Sequence, residues 1–359
     1  MNELTILTEL SHEFGTADYV LGGGGNTSYK DAHTLWIKPS GVTLRDLRPE
    51  DFVALDRERL AESLHFDPPA DVHQREAIVK ERVLASRRPG QTGRPSVEAP
   101  LHHLFPQRFV VHTHPALVNG LTCGRKGAPA AAQLFPDALW VPYCDPGFVL
   151  SREAGRAIGS RVADGRAAPA VLLLENHGVF VAGDHADEIR RTYARIFNVL
   201  RTVYRTAGVA EDLPVTPRPS AAEDAAMREA LRRFLPPAEC AHIVSDGPFP
   251  PPRGPLSPDH IVYARSYVHI GAPNADSIAS FRAQYGFTPR VFFTESGVWA
   301  CGATEKDAAL ALIFARDGAR VQALAEAFGG AQYLSEAARR FIEEWEVEQY
   351  RRTIAVGSR

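Results

Sequence analysis

The chain has 359 residues, 45% hydrophobic and 23% charged, with a formal net charge of −3. This is the profile of a soluble globular protein of about two domains, and it excludes a disordered chain. The near-neutral balance gives no electrostatic ground for nucleic acid or a membrane surface as a partner, and no run approaches the roughly 18 apolar residues of a membrane span.

The basic pairs Arg232-Arg233 and Arg351-Arg352 are short, interleaved with acids, and read as solvated helix faces. Cys123, Cys144, Cys240 and Cys301 are scattered without a CxxC pair, which predicts free thiols in a reducing compartment. The first segment carries Glu3, Glu9 and Glu13 and no long apolar core, so no signal peptide is expected and the expected location is cytoplasmic.

In chain order, Leu4, Leu7, Leu10 and Phe14 recur at helical spacing and predict an opening helix that ends at Gly15. The run Gly22-Gly23-Gly24-Gly25-Asn26-Thr27-Ser28 follows, then short strands at 34–38 and 51–55 and helices at 73–87 and about 97–104. Phe109-Val110-Val111 leads into His112-Thr113-His114, which Pro115 closes off. Beyond it the pattern predicts a helix near 116–122, a strand at 139–141, a helix at 151–163, paired strands at 172–174 and 179–182, and a long helix at about 186–206. Proline-rich stretches at 214–219 and 248–252 favour extended connectors. The boundary is placed near 214, dividing the chain into 1–213 and a C-terminal α/β extension, 214–359.

The extension holds an echo. Leu174-Glu175-Asn176-His177-Gly178-Val179-Phe180-Val181-Ala182-Gly183 is mirrored by Phe293-Thr294-Glu295-Ser296-Gly297-Val298-Trp299-Ala300-Cys301-Gly302, with Ser296 where His177 stands. It reads either as a degenerate partial repeat that has lost a ligand or as two instances of a common hairpin.

Side chains alternate along a strand, so the HxH pair sends both imidazoles toward one site. His177 ends another apolar run, and Glu98 lies upstream in Pro95-Ser96-Val97-Glu98. Three histidines with a carboxylate nearby suit a catalytic Zn²⁺ that keeps one position open; imidazole also suits other divalent ions. A lone histidine is more often packed or exposed than a ligand. His102 could share a helical face with Glu98 and reads as a supporting or structural group, and the remaining histidines read as surface or packing. Glu98 is either a group that moves protons, its affinity tuned toward neutrality beside a metal, or a helix N-terminal acid favoured by the helix dipole. The glycine run and Lys38-Pro39-Ser40-Gly41, with Ser96, are either a cradle for a phosphate or carboxylate or a pair of tight turns. The run lacks the ending of a P-loop and the spacing of a dinucleotide fingerprint.

Taken in order, Gly25-Asn26-Thr27-Ser28, Lys38-Pro39-Ser40-Gly41, Pro95-Ser96-Val97-Glu98, His112-Thr113-His114-Pro115, Val141-Pro142-Tyr143 and Asn176-His177-Gly178 resemble the class II aldolase/adducin family over about residues 5–205. The rhamnulose- and fuculose-phosphate aldolases look most alike, in particular the aldolase half of bifunctional rhamnulose-phosphate aldolase/dehydrogenases. The resemblance implies a three-layer α/β/α sandwich with a mainly antiparallel sheet. It also brings His177 and Glu98 into the ligand and catalytic set, with Zn²⁺ on His112, His114 and His177. Gly25, Asn26, Ser40, Gly41 and Ser96, with Lys38 beside them, would hold the phosphate of a sugar phosphate.

The implied chemistry is cleavage of a ketose 1-phosphate to dihydroxyacetone phosphate and an aldehyde through an enediolate, which Glu98 protonates. The rivals on this fold are a pentulose-phosphate 4-epimerase, a keto-acid-phosphate decarboxylase and a non-catalytic scaffold like the adducin head. A homo-oligomer, tetrameric by resemblance, is expected. The chain departs from the pattern at Val97, where a second phosphate-binding serine is common. It also has Gln133 near the place of a tyrosine, which leaves Tyr143 and Tyr267 as candidates for the acid that protonates the leaving alkoxide.

Overall fold

A computed structural model describes residues 2–345; Arg351-Arg352 and the last part of the extension lie outside the described residues. The first part runs α1 (Glu3–Phe14), β1 (Asn26–Lys30), β2 (Thr34–Ile37), β3 (Val53–Asp56), α2 (Arg57–Glu62), α3 (Val72–Ala85), α4 (Ala99–Leu104) and β4 (Phe109–Thr113). It continues through α5 (Ala116–Thr122), α6 (Gly127–Leu134), β5 (Leu139–Val141), α7 (Phe148–Ala163), β6 (Val171–Leu174), β7 (Gly178–Gly183) and α8 (Ala186–Ala207). The strands form one seven-stranded sheet, ordered β3-β2-β1-β4-β7-β6-β5. It is antiparallel throughout except between β5 and β6.

Both faces of this sheet are covered, and the alternation along β4 and β7 shows how. Val111, Val179 and Val181 pack with Leu7 and Leu10 of α1, Leu117 and Leu121 of α5 and Ile189 and Tyr193 of α8. Val110, Phe180 and Ala182 face the other way, against Leu101 of α4 and Leu150, Ala154 and Ile158 of α7. A sheet buried on both sides needs continuous apolar strands, which is why β4, β6 and β7 were readable as apolar runs. The molecule is thus the expected three-layer α/β/α sandwich.

The second part contains α9 (Ala221–Phe234), β8 (His242–Asp246), α10 (Pro258–Ala264), β9 (His269–Ile270), α11 (Ala275–Tyr285), β10 (Val291–Phe293), β11 (Val298–Gly302), α12 (Glu305–Leu324) and α13 (Glu336–Glu344). Its sheet is ordered β8-β11-β10-β9, with pairings antiparallel, antiparallel and parallel. The same sequence of pairings runs through β4-β7-β6-β5. α12 joins the parts: Ala311, Phe314 and Ala315 pack in the second core, while Val321 and Leu324 enter the first beside Leu117 and Leu121. At that crossing a Cβ on Gly120 would lie 2.6 Å from Leu324 Cβ, so only glycine permits the approach.

Three local expectations change. Residues 26–30 form a buried strand rather than the tail of a loop. Strand β3 starts at Val53 because Pro49–Asp51 close a 3₁₀ turn capped by Arg48 and Asp51. Helix α7 begins three residues earlier than 151, at Phe148, after Gly147 turns the chain with φ 89.

Candidate metal centre and active site

β4 lies in the middle of the sheet and delivers the two histidines to its C-terminal end. His112 is fully buried, stacked on Phe180 with ring centroids 3.9 Å apart and planes 12° apart. His114 follows the strand end, its ring centroid 4.6 Å from that of His112. His177 comes from the β6–β7 hairpin. There Asn176 adopts φ 54, a left-handed conformation that asparagine tolerates better than most residues, and this turn aims His177 at the other two. The ligand atoms of His112, His114 and His177 all lie within 4.8 Å of one another.

The tautomers follow from the acceptors. His112 Nδ1 stands 3.0 Å from the Val179 carbonyl oxygen, and His114 Nδ1 stands 2.6 Å from Asp259 Oδ2. Oxygens of these kinds accept, so both Nδ1 atoms carry the proton and both Nε2 atoms present lone pairs. Those two Nε2 atoms face each other at 2.9 Å. Two lone pairs at that separation repel unless a cation or a proton lies between them, and nitrogens around tetrahedral Zn²⁺ stand about 3.3 Å apart. The triad therefore fits a divalent metal bound through Nε2 of His112 and His114 and a ring nitrogen of His177. Burial lowers the proton affinity of His114, and it pushes His177 down to about 3. Neutral imidazole is the form that ligates.

Glu98 is the N-cap residue of α4 and its side chain makes no hydrogen bond to the helix. Its Oε1 lies 3.4 Å from His112 Nε2 and 3.6 Å from His177 Nε2, buried and without a hydrogen-bond partner among the described residues. Its Oε2 accepts from Asn26 Nδ2 at 2.6 Å. Burial raises its pKa, while positive charge on the imidazoles of His112 and His177 and the hydrogen bond from the Asn26 amide lower it, and the net direction is downward.

The expected anion-binding residues gather with Glu98, His114 and His177 around one cavity, lined among others by Gly25, Asn26, Lys38, Ser40, Gly41 and Ser96. Two of them are engaged otherwise than expected. Asn26 is spent on the protein, since besides Glu98 it contacts Ser96 Oγ at 3.2 Å and meets His102 Nε2 through its Oδ1. His102, fully buried, closes the relay onto Ser28 Oγ at 2.7 Å. In the glycine run, the Gly23 N–H donates to Tyr263 Oη at 3.2 Å rather than facing the cavity. Gly25, at φ 63, lies so close to the His112 carbonyl that a Cβ would stand 2.7 Å from its oxygen. Lys38 is buried and donates to the carbonyls of Val42 at 2.6 Å and Gly23 at 3.3 Å. Neither tyrosine proposed as an acid lines this cavity: Tyr267 stacks on Tyr285 with centroids 4.2 Å apart, and the Tyr143 hydroxyl is buried without a partner among the described residues.

Asp259 and Tyr263 are the residues that sequence reasoning missed. Pro258 at the start of α10 signals a helix there, but nothing local says that the next carboxylate reaches a histidine 145 residues earlier.

Residues 6–204 match the family described as the class II aldolase and adducin N-terminal domain, and the chain belongs to that family. The uncharacterized oxidoreductase YuxG of Bacillus subtilis (strain 168) is 30% identical over 175 residues, which span 46% of this chain and 24% of that protein. The chain thus corresponds to about a quarter of that relative's length. Among solved structures, the N-terminal class II aldolase domain of a conserved protein from Thermoplasma acidophilum is similar with a TM-score of 0.49 and 23% identity, over 56% of this chain and 93% of that one. An L-fuculose-1-phosphate aldolase from Thermus thermophilus is similar with a TM-score of 0.38 and 15% identity, over 56% and 93%. Among the described residues no helix is long and apolar enough to cross a membrane.

Proposed function

We propose that the chain is a metal-dependent aldolase that cleaves a ketose 1-phosphate to dihydroxyacetone phosphate and an aldehyde. The observation that carries this reading is the convergence of three imidazoles with the buried Glu98 Oε1, which has no hydrogen-bond partner among the described residues, beside a cavity lined by Lys38, Ser40 and Ser96. His112, His114 and His177 would hold the ion. A divalent metal there supplies positive charge where negative charge develops on the substrate's carbonyl and hydroxyl oxygens.

The remaining roles belong to the chain. Glu98 Oε1 takes the proton from C3 of dihydroxyacetone phosphate in the synthetic direction and returns it after cleavage. Asn26 keeps that carboxylate in place through Oε2, so it serves as a positioning group for Glu98 in this account rather than as a phosphate ligand. The phosphate falls to Lys38, Ser40, Gly41 and Ser96, with Gly25 beside them; the Lys38 ammonium takes up the contact that Val97 does not make. The cavity is small, about 40 Å³ in volume with Pro258 and Trp345 among its walls. That is room for a few waters.

The test is incubation of the protein, loaded in turn with Zn²⁺, Mn²⁺ and Co²⁺, with a panel of ketose 1-phosphates, pentulose phosphates and keto-acid phosphates. Metal-dependent release of triose phosphate is the expected result. An inverted pentulose without triose phosphate, or release of carbon dioxide, would replace the aldolase reading with an epimerase or a decarboxylase. A protein that neither retains metal nor responds to a chelator would point to a scaffold.

A further inference from the structure

The loops that carry His114 and His177 are both fastened to the second part of the chain. Asp259, in the first turn of α10, is buried and accepts from His114 Nδ1 at 2.6 Å. Asn176, immediately before His177, donates through Nδ2 to the carbonyls of Leu256 and Gln332 at 2.8 Å each. The glycine run makes room for this contact. A Cβ on Gly24 would stand 2.7 Å from Asp259 Oδ2 and 3.2 Å from His114 Nδ1. One turn further along α10, Tyr263 takes the Gly23 N–H.

The second sheet cannot use such a carboxylate for itself. Register sets Val298 opposite Asp246 and Trp299 opposite Ser245, as Val179 is opposite Thr113 and Phe180 opposite His112. Ser245 and Gly247 therefore stand where the first sheet has His112 and His114, and Ser296 precedes Gly297 as His177 precedes Gly178. None of the three offers an imidazole.

We propose that Asp259 is a positioning residue for the metal centre, so that one site is built from both parts of the chain. This rests on reading the triad as a divalent-metal site. A carboxylate on Nδ1–H fixes the tautomer and the ring orientation and makes Nε2 a better donor, and loss of such a partner lowers metal affinity roughly 10- to 100-fold. The segment 256–259 then acts as a brace: it holds His114 through a side chain and the His177 turn through the Leu256 carbonyl.

The experiment uses the full chain, stripped of metal and titrated with Zn²⁺ against a chromophoric chelator, and in parallel with Co²⁺ to record its visible ligand-field bands. Asp259→Ala should bind Zn²⁺ about 10- to 100-fold more weakly and shift the Co²⁺ bands. Asp259→Asn keeps an acceptor oxygen and should lose less, which keeps the test readable if the alanine variant folds poorly. Asp317→Asn, which removes the charge beside His260 in the same part of the chain, is the control and should leave both readouts unchanged. Equal affinity and unchanged bands in both Asp259 variants would overturn the positioning role, as would an equal loss in Asp317→Asn. Failure of the unaltered chain to bind Zn²⁺ or Co²⁺ would instead overturn the metal reading beneath it.

Discussion

Asn26→Ala probes the relay that holds the proposed base. The substitution removes the Asn26 Nδ2 to Glu98 Oε2 bond of 2.6 Å, and a hydrogen bond to a charged group contributes about 1.5–3 kcal/mol. It also strips the partner from His102 Nε2, in a fully buried ring, and an orphaned buried polar group costs about 1–3 kcal/mol. Together these give a loss of about 2.5–6 kcal/mol, with the lower half favoured if a water enters the space. The assay is urea unfolding of metal-free protein at pH 7, followed by tryptophan fluorescence and circular dichroism together. Ser96→Ala is the comparison: its hydroxyl meets Asn26 Nδ2 and the Glu98 N–H at the longer distances of 3.2 and 3.3 Å, and it should cost under about 1 kcal/mol. A loss below about 0.5 kcal/mol for Asn26→Ala would refute the claim that this amide anchors Glu98 and His102.

Further outcomes follow from other buried groups. Burial, aided by repulsion from Arg57, pushes the Lys30 ammonium down to about 7, so between pH 7 and about 10.4 the unfolded chain binds the proton that the folded chain has lost. The cost of burying its charge is therefore full at and below pH 7 and is relieved as pH rises across that window, so stability rises with pH there; Lys30→Met should flatten the profile and stabilise the protein at pH 6.5, and an unchanged profile would contradict this. Burial pushes Cys123, Cys144 and Cys301 up to about 12 and raises Cys240 as well. A chromogenic disulfide at pH 8 should leave all four unlabelled in the native protein and react fully in denaturant, whereas prompt native labelling would oppose it. Glu98→Gln should keep its metal while losing turnover, measured by metal content and product release.

Legibility in the sequence tracked apolar continuity. β4, β6 and β7 are buried on both faces, so their runs stood out, and the histidines at their ends came with them. β1 did not stand out, because its five buried residues are Asn26, Thr27, Ser28, Tyr29 and Lys30. Their polar groups are satisfied inside the protein by Glu98, Ser11, His102 and the His102 carbonyl, a pairing with no periodic signature. The strands of the second sheet are short, β9 having two residues and β10 three, below the length at which alternation can be read. The echo around Gly297 located one of its hairpins but not its loop length. Phe293 pairs with Val298 as Leu173, not Leu174, pairs with Val179, so the second loop is one residue shorter. Asp259 was invisible for a different reason: its role exists only once α10 is packed on the glycine run.

The most direct test of the central claim is proton exchange at C3 of dihydroxyacetone phosphate in D₂O, followed by NMR, with the protein loaded with Zn²⁺. The expected result is wash-in of a single deuteron that requires the metal and is lost in Glu98→Gln while that variant still holds its ion. No exchange by metal-loaded protein, or undiminished exchange in Glu98→Gln, would contradict it.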